Sequence, residues 1–304
     1  MKINVLLVLL AAVLWGTTGT AQALAPDKAN PLTVGALRLF IGGGALFVYI
    51  SLQKNIDFKS IPKMPLLVSA LAMALYQPFF FTGVDLTGVA IGTVVAICSA
   101  PIFAGFIELF FYKRFPDWVW LLSTIFAVIG CVLLLQSGEE VTFNPFGMLY
   151  SLAAGGSFAT YTFVSKTLVA KHPPDVVVAL VFTTAAIMLL PILLTSDLTW
   201  TLERSGAISV LHLGIVATAL SYVLFARGLK GITASTAVTL ALAEPLTATL
   251  LGVCVLNEKI SVIASFGLVL LVMGLLALSF KEHIKNARSH NVPCVPTSRE
   301  PFYL

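Results

Sequence analysis

The stretch TLALAEPLTATLLG, residues 239–252, places an ionisable Glu244 against Pro245 inside an otherwise apolar run. What that carboxyl does depends on the solvent around the run. The chain is 58% hydrophobic and 11% charged, against about 25% charged for a typical soluble domain, and its mean hydropathy is strongly positive. This is the composition of an integral membrane protein.

A membrane span needs about 20 mostly apolar residues, and only helices or closed barrels satisfy their backbone there. Ten such runs fit, all read as helices: 3–25, 32–52, 65–83, 88–112, 116–136, 145–168, 174–196, 205–226, 233–256 and 260–280. The breaks between them carry turn chemistry, such as Pro26 with Asp27, Pro62 with Pro65, Pro116 with Asp117, Asn144 with Pro145 and Pro173 with Pro174. No connection is long enough for a soluble domain.

With a cytoplasmic amino terminus, the inside segments hold 14 of the 18 Lys and Arg residues: Lys2, Lys54, Lys59, Lys63, Lys113, Arg114, Lys166, Lys171, Arg227, Lys230, Lys281, Lys285, Arg288 and Arg299. The outside loops hold Lys28, Arg204 and Lys259, and Arg38 lies within a span. This positive-inside bias puts both termini in the cytoplasm. It also accounts for the net charge of +4: the cations are scattered over short loops with no basic stripe, which argues against a nucleic-acid partner. Lys281, Lys285 and Arg288 are expected to continue the tenth helix and meet anionic lipid headgroups, with a mobile tail beyond about residue 289, where Pro293 and Pro296 stand. Lys2, the apolar residues 3–14 and Ala21-Gln22-Ala23 also resemble a cleavable secretory signal. The first-span reading is preferred, because removal would leave nine spans and spoil the charge alternation. Cys98, Cys131, Cys254 and Cys294 show no metal spacing and read as small packing residues; no metal or cofactor is expected.

Shifting the chain by 144 residues superposes Pro101 on Pro245, Ala104 on Ala248, Val128 on Val272, Gly130 on Gly274 and Leu134 on Leu278. The division this suggests is a five-helix repeat over 3–136, a second over 145–280, and a cytoplasmic tail, 281–304. Five is odd, so the second repeat enters the membrane from the opposite side, giving inverted repeats that can alternate access to a central site. Pro101 and Pro245 each sit within a span, where proline frees a carbonyl and permits a bend.

Over residues 3–280 the chain resembles the ten-span drug/metabolite transporter superfamily with two EamA-type halves. The resemblance rests on Trp15-Gly16, Arg38 within GALRLFIGGG, Pro101, Glu244-Pro245 and the following LNEKIS. Phe158-Ala159 stands where such proteins often have Trp-Ala, and Lys113-Arg114 stands opposite Asn257-Glu258, where the family often keeps an acidic residue in both halves. The resemblance implies an inner-membrane secondary transporter, commonly an exporter of amino acids, other metabolites or toxic compounds. No G-x-x-x-x-G-K-[ST] loop is present for ATP hydrolysis, so uphill transport would draw on an ion or solute gradient, H+ foremost. Two alternatives remain: a passive facilitator of the same architecture and a membrane-embedded lipid-modifying enzyme. The expected partners are a small-molecule substrate, membrane lipids and protons, with a homodimer as a further option.

Glu244 lies about eleven residues from either end of the predicted ninth span, roughly 16 Å deep. It should face the interior, either as a proton-coupling group or binder of a substrate amine, or as a structural Glu bonded to a neighbouring helix or to a carbonyl freed near Pro245. Arg38, roughly 9 Å inside the second span, is a candidate partner for a substrate carboxylate, against structural pairing or snorkelling. Glu108 reads as an interfacial partner of Lys113 and Arg114, and His212 as a titratable or packing histidine. Trp15, Thr17, Thr18, Thr20 and Gln22, Tyr76, Gln77, Pro78 and Phe79, Ser157, Thr160 and Tyr161, and Ser221 and Tyr222 could wall a substrate path. The same residues could equally serve close helix packing and interhelical hydrogen bonds.

Overall fold

A computed structural model describes residues 3–26, 28–53, 60–114, 117–134, 144–256 and 261–290. Lys2, Asp27, Lys54, Lys59, Pro116, residues 257–260 with Lys259, and the tail with Pro293, Cys294, Pro296 and Arg299 lie outside the described residues. Among the described residues, ten helices stand where ten spans are expected: α1 (Ile3–Ala23), α2 (Pro31–Ser51), α3 (Lys63–Thr87), α4 (Val89–Tyr112), α5 (Trp118–Leu134), α6 (Pro145–Val169), α7 (Pro174–Thr195), α8 (Arg204–Leu229), α9 in two pieces, α9a (Ala234–Leu240) and α9b (Ala243–Leu256), and α10 (Val262–His290). Among the described residues, eight helices are long and apolar enough to cross a membrane; α5, with 17 residues, is shorter, and α6 is diluted by Gly, Ser and Thr.

Local chemistry sets the boundaries. Asn30 accepts from the Leu32 N–H at 2.9 Å to start α2, and Asn144 accepts from Phe146 and Gly147 at 3.0 and 3.2 Å to start α6, the N-cap arrangement that satisfies orphan donors. Proline follows each cap, where its missing N–H costs nothing. Helix α3 overruns the expected 65–83 because only Gly88, at φ +85°, turns the chain into α4; that left-handed turn favours glycine. The basic residues after 280 do extend α10, to His290.

One expectation needs correction. The ninth span is not one helix: Ala241 and Leu242 interrupt it, so Glu244 stands in the first turn of α9b and not in mid-helix. Pro245 has no N–H to offer the Ala241 carbonyl, and the Glu244 N–H takes that acceptor instead at 2.9 Å, tightening the turn. Pro101, by contrast, lies in a helix that runs unbroken through it, so the two superposed prolines differ in effect. In α8, His212–Leu220 is wound as a π-helix, a rare geometry that period counting does not reveal.

Helices of the first half pack chiefly on helices of the second: α1 on α8 and α9b, α2 on α7, α3 and α4 on α6, and α5 on α10. Backbones approach through small residues, as expected where lipid removes the hydrophobic drive between helices. A Cβ at Gly130 would fall 2.6 Å from the Gly267 carbonyl oxygen and from the Leu271 nitrogen. One at Gly274 would fall 2.6 Å from the Ser123 oxygen and 3.0 Å from the Ala127 nitrogen. The 144-residue shift carries 130, 123 and 127 onto 274, 267 and 271, so this contact maps onto itself, the mark of a two-fold relation. A second correspondence agrees: Gly83 of α3 rests on Gly147 and Ser151 of α6 as Gly228 of α8 rests on Asn4 and Val8 of α1.

Because the obstructing atoms are backbone, Gly130→Leu and Gly274→Leu should each destabilise the fold by about 1–3 kcal/mol or more. Gly44→Ala, with nothing within 4 Å of the added carbon, should be neutral. Gel filtration of heated detergent extracts reads the difference; tolerance of leucine at both positions would contradict the α5–α10 contact.

Candidate functional site

Seven helices converge on a central cavity lined by Trp15 and Thr18 of α1, Arg38 of α2, Tyr76 of α3, Ala96, Ile97 and Ala100 of α4, Phe158 of α6, Tyr222 of α8, and Val238, Ala241 and Glu244 of α9. Its volume is about 40 Å³. That is room for roughly three waters, and a drug-sized ligand of about 300 Å³ or more would require a change of shape.

Gly16 builds one wall. A Cβ there would lie 2.5 Å from Thr247 Cβ and 2.7 Å from the Glu244 carbonyl oxygen, so α1 rests directly on the first turn of α9b. The two sequence signatures Trp15-Gly16 and Glu244-Pro245 therefore meet: the glycine permits the contact, the tryptophan faces the cavity, and the half-buried Glu244 faces it from the other side.

Arg38 is 8% exposed. Its Nε donates to the Thr218 hydroxyl at 3.0 Å and its Nη2 to the Ala217 carbonyl at 3.2 Å. Both acceptors lie in the π segment of α8. Ser221 Oγ also donates to the Ala217 carbonyl, at 2.7 Å. Gly42 of α2 brings the helices together, since a Cβ there would meet the Gly214 oxygen at 2.7 Å. Arg38 and Glu244 line the same cavity from different halves, and among the described residues neither is ion-paired, to the other or elsewhere. The two side chains thus stand unjoined beside a common space.

Aromatic rings complete the enclosure. Trp15 meets Tyr222 at 4.8 Å, Phe225 at 5.2 Å and, edge to face, Phe158 at 5.7 Å between centroids. Trp15 Nε1 is buried with no acceptor among the described residues, an arrangement that ordinarily costs about 1–3 kcal/mol and that an oxygen of a ligand in the cavity would satisfy.

Of the residues singled out in the sequence, Trp15, Thr18, Arg38, Tyr76, Tyr222 and Glu244 are brought together. Four stand one layer back. Tyr161 is 1% exposed and supports Tyr222, centroids 5.7 Å apart. Gln77 is buried behind Gly35. Thr17 gives its hydroxyl proton to the Leu14 carbonyl at 2.7 Å, so the 2.8 Å contact with His212 has the imidazole Nε2–H as donor; the pair bridges α1 to the start of the π segment. Missed in the sequence were the α4 face of Ala96, Ile97 and Ala100, the Phe158 wall, and the acceptors Ala217 and Thr218. Small apolar residues and a backbone carbonyl carry no signal in such an apolar chain.

Comparison with known proteins follows the same lines. The pattern of the EamA-like transporter family matches residues 2–136 and again 145–280. A protein of Bacillus subtilis (strain 168) described as the uncharacterized transporter YwfM is 46% identical over 281 residues, 92% of this chain and 95% of its own. The threonine/homoserine exporter RhtA of Escherichia coli (strain K12) is 29% identical over 269 residues, 86% of this chain and 85% of its own. A crystal structure superposes with a TM-score of 0.80 over 93% of this chain and 98% of that chain at 22% identity, which shows a shared fold. The chain belongs to the EamA-like transporter family and is a multi-pass membrane transporter.

Proposed function

We propose that this transporter exports small zwitterionic metabolites, amino acids foremost, across the inner membrane. The observation that carries the reading is the pair of unjoined charges: Arg38 offers a guanidinium to a substrate carboxylate and Glu244 offers a carboxylate to a substrate amine. Trp15 Nε1 supplies a further donor for the carboxylate end. Planar guanidinium suits a carboxylate because its N–H groups can bond both oxygens. Threonine/homoserine export by a relative of 29% identity points to the same class.

The transport step is alternating access by the two halves about the cavity, with both termini cytoplasmic, as the bias of Lys and Arg toward one set of loops supports. Glu244 couples the step to H+: protonated it releases the substrate amine, and deprotonated it accepts the next. Arg38 contributes a second link, because a substrate carboxylate that draws its N–H groups away from Ala217 and Thr218 frees the π segment of α8.

Two outcomes follow in proteoliposomes loaded with radiolabelled threonine and given a pH gradient. Wild type should concentrate the amino acid, whereas Glu244→Gln, a neutral mimic of the protonated carboxyl, should lose gradient-driven movement at least tenfold and should exchange labelled for unlabelled substrate only at a higher threonine concentration. Equal gradient-driven transport by the variant removes Glu244 from the coupling, and equilibration without accumulation by wild type makes the chain a passive facilitator. Arg38→Gln should raise the half-saturating threonine concentration at least tenfold, with Arg38→Lys between the two; an unchanged value in Arg38→Gln would make Arg38 a purely structural link to α8.

A further inference from the structure

A second space lies outside the central cavity, open to the side of the bundle between α3, α4 and α6. Its inner part has a volume of about 620 Å³ and its deeper part about 440 Å³. The two share Val68, Ile107 and Thr160, so they form one continuous groove. Along α3 it runs from Met64 to Leu75, about 16 Å at 1.5 Å per residue, which matches the hydrocarbon depth of one leaflet, half of about 30 Å.

Its chemistry is that of an acyl chain. The threonines on it turn inward to their own helix, Thr160 to the Gly156 carbonyl at 2.8 Å and Thr167 to the Val164 carbonyl at 2.7 Å, so apart from the hydroxyls of Tyr112 and Ser157 the groove is lined by aliphatic and ring surfaces. Its mouth is of another kind. Lys63 directly precedes Met64, and Lys113 and Arg114 directly follow Tyr112; all three are exposed, and none is ion-paired among the described residues. Glu108, one turn further along α4, does not line the groove.

The equivalent joint in the other half is bridged by a hydrogen bond. An offset of 143 residues pairs Trp15 with Phe158 and so Thr17 with Thr160; Thr17 is bridged to α8 through His212 at 2.8 Å, whereas Thr160 bonds only within its own helix. At its deep end the groove stops at Phe103 and Gly156, near Ala100 and Phe158 in the wall of the central cavity. A chain seated there would wedge between α4 of the first half and α6 of the second.

We propose that this groove is a specific site for an anionic phospholipid, one acyl chain lying along α3, α4 and α6 and the headgroup phosphate held at Lys63, Lys113 and Arg114. The test is native mass spectrometry of the purified full-length protein in detergent with added palmitoyl-oleoyl phosphatidylglycerol or phosphatidylcholine. Wild type should retain one phosphatidylglycerol at least tenfold better than phosphatidylcholine, and the double variant Lys113→Gln with Arg114→Gln should erase that preference. Gly156→Leu should lose the bound lipid while staying folded, since a Cβ there meets the Phe103 ring at an ordinary 3.7 Å. Val164→Phe fills the same groove from another turn and serves if Gly156→Leu does not fold. Equal retention of the two lipids by wild type, or wild-type retention of phosphatidylglycerol by a folded groove-filling variant, overturns the proposal. So does a groove variant that changes the dimer population and leaves lipid retention untouched, which would assign the surface to a second copy of the chain.

Discussion

A guanidinium carried into the interior of a membrane protein is tolerable only if its N–H groups find acceptors, the unrelieved penalty being several kcal/mol. Arg38 finds them on α8, at Thr218 and at the Ala217 carbonyl. A regular α-helix commits each carbonyl to the N–H four residues on. The π winding over His212–Leu220 shifts that pattern just where Arg38 and Ser221 converge on the Ala217 oxygen. Much else follows from that attachment. It fixes α2 of the first half to α8 of the second, requires Gly42 at the crossing, and holds the guanidinium at the wall of the cavity without closing it against Glu244.

Glu244 is placed by a different constraint. Pro245 cannot donate, the helix gives way at Ala241 and Leu242, and the carboxyl is carried in the first turn of a half-helix, where the macrodipole favours negative charge. Gly16 lets α1 come down on that turn. Broken helices whose ends face a central space recur where membrane proteins bind polar solutes, and here the break and the π segment both belong to the second half. The architecture is two-fold, as the self-mapping α5–α10 contact shows, but the chemistry is lopsided: Pro101 leaves α4 continuous and Ala100 stands where the second half has Glu244.

The fold was legible in the sequence because bilayer thickness imposes a length and turn residues punctuate it; Asn144-Pro145 and Pro173-Pro174 mark helix starts within a residue. Gly130 and Gly274 announced the repeat, and the structure gives the reason they coincide. Arg38, Glu244 and Trp15 were visible because a charge or an indole is conspicuous in an apolar chain. Geometry that depends on a neighbour was not visible. Nothing in HLGIVATAL, residues 212–220, marks a π-helix, since its cause lies partly on α2, and Glu244 was read as mid-helix because a proline can bend a span or break it according to what packs alongside.

In the function proposed above, Arg38 and Glu244 stay apart to hold the two ends of one zwitterion. The most direct measurement is the affinity of the purified protein, by thermal stabilisation, for each of the twenty amino acids and, for the tightest binder, for its methyl ester and its N-acetyl derivative. Capping either end should weaken binding at least tenfold, about 1.4 kcal/mol. An ester or N-acetyl form that binds as tightly as the free amino acid, or no binding by any of the twenty, would contradict it.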